Sequence, residues 1–229
     1  MLEKYVDSLN ILYEDNHLLV VEKFINVLSQ KDNTNDIDMT EIVKEYLKKK
    51  YNKPGNVYVG LIHRLDRRVG GVMVFAKTSK AASRLSEDIR NHKFQKRYLA
   101  LALGEVDSGT MVDKIIKDEK TKLAKPSKDG KEAMLNYKVI NRILIGGAIH
   151  SYVKVELVTG RYNQIRFQFA SRHHPLMNDY KYGYSLSRGE EIGLWCYEVI
   201  FNHPTLKKEM KFTLYPQKGI WDKLEREEK

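Results

Sequence analysis

Cysteine is almost absent from this chain, with Cys196 alone among 229 residues. No intramolecular disulfide can form, which excludes a disulfide-stapled scaffold and fits a reducing compartment. Cys196 lies in the apolar run LWCYEVIF, where a buried thiol is expected rather than a nucleophile. No apolar run is long enough to span a bilayer, and MLEKYVDSLNILYED lacks the basic start and apolar middle of a signal peptide. The expectation is a cytoplasmic protein with no membrane partner. Internal repeats and low-complexity linkers are missing too. No Walker loop, dinucleotide fingerprint or zinc-ligand spacing occurs, so nothing here asks for a nucleotide cofactor or a metal.

Acidic residues are also in deficit. Lys and Arg number 40 against 30 Asp and Glu, giving a net charge of +10. A protein this basic is suited to a polyanion, above all nucleic acid. The charge is clustered: residues 77 to 98 hold seven Lys/Arg and two acids, and residues 114 to 131 hold seven lysines and three acids. Such runs gather phosphates but carry little sequence choice.

What is present is the composition of a globular protein, 42% hydrophobic. ILYEDNHLLVVEK reads as two short extended pieces around a polar turn. Asp36 or Asp38 caps a helix reaching about Tyr51, with Ile42, Val43, Tyr46 and Leu47 on one face and lysines at its end. VMVFAK is a strand. Ser79 caps a second helix to about His92, with Leu85 and Ile89 inward. KRYLALALGEV alternates as a strand, and residues 107 to 131 form a polar, lysine-rich surface excursion. Strands follow near 133–143 and 148–158, TGRYNQIRFQFASR turns into a helix, and further strands fall near 194–201 and 210–215. Strands outnumber helices and mostly follow one another, which predicts an α+β fold with a largely antiparallel mixed sheet flanked by helices and basic loops. A single domain over 10–216 and a charged helical tail over 217–229 are expected.

One stretch stands apart. In HRLDRRVGG, residues 63 to 71, a lone carboxylate, Asp66, sits among Arg64, Arg67, Arg68 and His63. Taken alone, it reads as a surface turn acid paired to Arg67 or Arg68. The remainder of the chain adds an ordered set: AKT at Ala76 to Thr78, KRYLA from Lys96, GKEA from Gly130, TGR-x-x-QIR from Thr159 to Arg166, and His174–Pro175. In order and spacing this set resembles the RluA-type family of RNA pseudouridine synthases, from ILYEDNHLLVVEK to KFTLYP.

The resemblance implies an isomerase that breaks the glycosidic bond of a uridine in ribosomal or transfer RNA and rejoins the base through carbon 5. It implies the pseudouridine synthase fold, no cofactor, no metal and a monomer. Asp66 matches the family's catalytic aspartate, able to act as nucleophile or as base. Arg166 matches the arginine that holds this acid ionised in a shielded pocket. Tyr98 matches a tyrosine that stacks on the target base, its hydroxyl a candidate for proton removal from carbon 5. Arg64 matches an arginine that helps flip the base and touches the RNA backbone. Ile165 and Leu65 are expected to line the pocket. Arg67, Lys96, Arg97 and Arg161 are expected on the RNA side, with Arg161 equally suited to ordering its own loop. Gly70 and Gly71 are expected to let the backbone turn sharply or approach the substrate closely.

Three departures from the family stand out. EKFIN keeps Lys23 but loses a usual proline, Val69-Gly70-Gly71 replaces threonine-serine-glycine, and Tyr162-Asn163 replaces threonine-histidine. Relatives often carry a small N-terminal RNA-binding domain; none is expected before ILYED, and target choice is expected to rest on the catalytic domain and its basic loops. His63 is read as a hydrogen-bonded strand or turn residue. Adjacent His173 and His174 point apart, which argues against a metal. A non-catalytic RNA-binding module is the rival, although binding alone has no need of Asp66. A glycoside hydrolase would pair two carboxylates, and no second acid accompanies these motifs.

Overall fold

The computed structural model describes residues 1–186 and 191–222. Along the chain run α1 (Leu2–Asp7), β1 (Ile11–Glu14), β2 (Leu18–Lys23), α2 (Met39–Tyr51), β3 (Gly60–Leu61), β4 (Gly70–Ala76), α3 (Ser79–Arg90), β5 (Gln95–Leu103), β6 (Gly109–Lys117), β7 (Ala124–Pro126), β8 (Lys131–Ile145), β9 (Ala148–Leu157), α4 (Gln164–Ala170), β10 (Leu194–Asn202) and β11 (Glu209–Thr213). Two compact units divide it. The first is Met1–Phe94 with Cys196–Pro216, and the second is Gln95–Trp195 with the described residues after Pro216.

In the first unit β2 lies between β1 and β4, antiparallel to both, and β3 pairs with one end of β4. β10 lies beside β4, and β11 pairs antiparallel with β10. Every residue of β4 is buried. Leu19 and Val21 of β2 and Met73 and Phe75 of β4 point the same way and pack under Val6, Ile42, Val43 and Leu47 of the two N-terminal helices. That is the period-2 face of a strand meeting the apolar stripe of a helix. Asp38 is the cap of α2, accepting from the Thr40 and Glu41 amides at 2.7 and 3.1 Å. Thr78 caps α3, one residue before the expected Ser79, accepting from the Ala81 amide at 3.2 Å. Leu85 is buried as expected, but Ile89 is only half buried. The short helix α1 had no clear signal in the sequence.

The second unit is an antiparallel sheet in the order β5-β9-β8-β6-β7. β8 and β9 form a hairpin closed by Gly146 and Gly147 at φ +60 and +80, the left-handed backbone that tight hairpins favour. The lysine-rich stretch 107–131 corrects the sequence expectation of a surface excursion, since it folds as β6 and β7. Met111 and Ile115 are buried while their neighbours are exposed, so the strand alternation was present but masked by lysines on the outer face. Asp118 orders the connecting loop by accepting from the Lys120 and Thr121 amides at 2.9 and 3.0 Å.

With few helices and antiparallel ladders in both units, the chain is α+β, as its sequence predicts. No described helix is long and apolar enough to cross a membrane. Of the expected helical tail, Gly219–Trp221 forms a 3-10 turn, and residues 223–229 lie outside the described residues.

Candidate active site

In the first unit HRLD lies in the segment between β3 and β4. Ser29 clamps Leu65 from both sides: its hydroxyl donates to the Leu65 carbonyl at 2.6 Å and accepts from the Leu65 amide at 3.0 Å. The Asp66 carbonyl then accepts from the Val69 amide at 3.0 Å and closes a turn. This leaves Leu65 buried, Asp66 half-buried and Arg64 exposed.

Beneath the turn lies a lysine with no exposed surface at all, Lys23. Its ammonium donates to the carbonyls of Phe24 at 2.9 Å, Arg67 at 3.1 Å and Val69 at 2.9 Å. The three donors of an ammonium are thus all used on backbone, two of them in the turn that carries Asp66. Burial pushes Lys23 down to about 7; the negative charge of Asp66 opposes that fall and the Arg67 guanidinium adds to it. The sequence carried only a faint sign of this role, a lysine kept where its partner proline was lost.

Two further residues fix the turn. Arg67 donates from Nε to the Asn26 carbonyl at 3.1 Å and from Nη1 to Asp36 at 2.7 Å, tying it to the preceding loop. Gly71 has φ +123, and a Cβ there would stand 2.2 Å from the Cys196 carbonyl oxygen. The close approach at Gly71 is to the backbone of β10, a neighbour the sequence did not point to. His63 is buried, and its Nε2 accepts from the Val74 amide at 3.2 Å. Its ring lies 5.5 Å from Phe94, which stacks on Phe201 at 5.0 Å. It is a packed, hydrogen-bonded residue.

In the second unit β5 buries Tyr98 opposite Val155. Lys96 and Arg97 lie half-buried at the start of the strand, and Arg97 faces Glu156 across the ladder at 3.7 Å. The turn before α4 is organised by Gln164. Its Oε1 accepts from the Thr159 hydroxyl and the Arg161 amide, both at 2.9 Å, and its Nε2 donates to the Met134 carbonyl at 3.1 Å. Arg161 donates from Nε to the Glu132 carbonyl at 2.7 Å, which is the loop-ordering half of its expected role. Ile165 is buried.

Arg166 has a partner that the sequence analysis missed. Its Nε and Nη2 donate to the two carboxylate oxygens of Asp179 at 2.6 and 2.7 Å, and Asp179 has no exposed surface. The guanidinium lies over the ring of Tyr182, 4.9 Å from its centroid. The only sequence signal was an acid two positions after the apolar pair Leu176–Met177, thirteen positions beyond the arginine. His174 turns its Nδ1 to the Leu103 carbonyl at 2.8 Å. Among the described residues no group of three or more His, Cys, Asp or Glu could hold a metal ion.

Leu65, Asp66, Arg67 and Lys23 are thus gathered in the first unit, and Arg161, Ile165 and Arg166 in the second.

The sequence pattern of the family described as RNA pseudouridylate synthase matches residues 17–171. An uncharacterized RNA pseudouridine synthase of Mycoplasma pneumoniae is 31% identical over 97% of this chain and 72% of its own length. The ribosomal large subunit pseudouridine synthase D of Vibrio cholerae is 31% identical over 89% of this chain and 66% of its own. Human RNA Pseudouridylate Synthase Domain Containing 4 shares the fold, with a TM-score of 0.77 at 19% identity over 93% of this chain and 92% of that one. The sequence matches define an isomerase acting on RNA. The chain belongs to the RNA pseudouridylate synthase family, in its RluA-type group.

Proposed function

We propose that this chain converts uridine to pseudouridine in ribosomal RNA, with Asp66 as the reacting carboxylate, in a catalytic domain spanning residues 10–216. The observation that carries the proposal is the Asp66 turn. A half-buried acid is presented on a backbone pinned by Ser29 and by a wholly buried ammonium, a degree of preorganisation that a surface turn acid has no need of. The choice of ribosomal RNA is supported by the likeness to the ribosomal large subunit pseudouridine synthases D of Vibrio cholerae and Yersinia pestis.

In the reaction the C1′–N1 bond breaks, the base turns, and a C1′–C5 bond forms. The C5 proton leaves and N1 takes up a proton, so atoms balance with no redox step. Asp66 serves as nucleophile at the ribose or as base toward it. Arg166 takes the role the resemblance gives it, a cation that offsets the cost of shielding the acid from water. Tyr98 stacks on the base, Arg64 fills the place it vacates, and Ile165 and Leu65 wall the pocket. Arg67, Lys96, Arg97 and Arg161, with the lysines of β6 and β7, meet phosphate. The enzyme works in the cytoplasm, in keeping with its single buried cysteine, and as a monomer without cofactor or metal, as the resemblance implies.

Tritium release from RNA labelled at carbon 5 of uridine tests this. Wild type releases tritium to water and Asp66→Ala releases none. Tight RNA binding with no release by wild type would support the non-catalytic module instead. Release that persists in Asp66→Ala would remove the acid from the centre of the reaction.

A further inference from the structure

We infer that Asp179 and Tyr182 form a cradle that positions Arg166, making both positioning residues for the reaction. The inference rests on the proposed role of Arg166 toward Asp66.

An arginine side chain ends in a rigid fork on a flexible stem. Its charge is assured, but its orientation is not. Here the orientation is set by two contacts of different kinds. Asp179 takes Nε and Nη2 edge-on in a bidentate pair at 2.6 and 2.7 Å, which fixes the plane and direction of the fork. Tyr182 lies against the face at 4.9 Å, which fixes its height. Nη1 lies on the edge turned away from Asp179.

The cradle is itself held in place. Asp179 is wholly buried, and its carbonyl accepts from the Tyr182 and Tyr184 amides at 3.0 and 3.1 Å. The Tyr182 hydroxyl accepts from the Ala124 amide at 2.7 Å and from Asn163 Nδ2 at 3.2 Å. Asn163 stands at the start of α4, the helix that carries Arg166, and Ala124 opens β7. The same ring therefore touches the arginine, the base of its helix and the lysine-rich hairpin.

The test is a double-mutant cycle on tritium release, scaled to the folded fraction from near-UV circular dichroism. Asp179→Asn keeps the shape and removes the charge. It is expected to lower kcat about 100-fold with KM for RNA changed less than about threefold, the scale of a misplaced catalytic group. Because Asp179 acts through Arg166, the Asp179→Asn/Arg166→Lys double variant should be no slower than Arg166→Lys alone. Additive losses, or a kcat for Asp179→Asn within about twofold of wild type, overturn the inference. If Asp179→Asn does not fold, Tyr182→Leu takes its place in the same cycle, with the same two criteria. A second readout is independent of turnover. In protein labelled with nitrogen-15 arginine, the Arg166 Nε–H should exchange slowly in wild type and faster in either variant. Unchanged exchange overturns the inference. If wild type releases no tritium, the isomerase proposal falls, and this readout still decides the cradle.

Discussion

Lys23 and Val69 stand 46 positions apart in the sequence and 2.9 Å apart in the fold, ammonium to carbonyl. With Phe24 and Arg67, Val69 completes a cage of backbone oxygens under the Asp66 turn. Lys23→Met keeps the length and apolar stem but leaves three acceptors without the ammonium. The expected cost is about 2 kcal/mol, since each orphaned buried acceptor is destabilising and relief of the buried charge offsets part of it. Urea unfolding measures it. A midpoint equal to that of wild type would remove the anchoring role.

The same lysine makes a pH prediction. Its folded value of about 7 lies below the ordinary lysine value of 10.5. Between those limits the unfolded chain binds a proton that the folded chain does not, so this group makes stability rise with pH from about 7 to 10.5. In Lys23→Met that part of the rise should vanish. Melting temperatures of the two proteins across this range, compared as a difference, isolate the contribution from that of every other group.

Glu14 predicts the opposite edge of the profile. Burial would raise this carboxyl, but hydrogen bonds from Lys50, Lys77, Tyr51 and Tyr46 outweigh it and hold the group at about 2 against an ordinary 4.5. Stability from this group is complete above pH 4.5 and is lost as pH falls toward 2. Glu14→Gln should lose stability at neutral pH and show a flatter acid limb. An acid limb as steep as that of wild type would exclude Glu14 as its source.

Gly71 tolerates nothing larger. A Cβ would meet the Cys196 backbone at 2.2 to 2.7 Å, and φ is +123. Strand backbone cannot yield as a flexible side chain does, so Gly71→Ala is expected to cost at least about 3 kcal/mol. Soluble yield and melting temperature check this, with Gly55→Ala, where a Cβ meets nothing within 4 Å, as the control.

Arg64 is exposed in the turn beside Asp66. If it meets RNA phosphate, Arg64→Ala should leave stability within about 0.5 kcal/mol and reduce the slope of log affinity against log salt by about one. Binding isotherms at several salt concentrations read the slope, and an unchanged slope would place Arg64 away from the phosphates.

Legibility in the sequence followed the range of each interaction. The caps of α2 and α3 were readable within a residue or so because a cap joins atoms two or three positions apart. The HRLD, KRYLA and QIR segments were readable because each motif is local. The β6–β7 hairpin was not, because the lysines on its exposed face outweighed two inward apolar residues. Lys23 and Asp179 were missed as buried charges for a deeper reason. Their partners lie 46 and 13 positions away, and a lysine or an aspartate looks the same on paper whether it meets water or a cage of oxygens.

Cys196 sits against Gly71 with its thiol wholly enclosed. As the chain's lone sulfhydryl, it becomes available to an alkylating reagent only when β10 parts from its surroundings. The rate of its modification is thus a built-in clock for local opening in the first unit, readable by mass alone, with no engineered label and no substrate RNA.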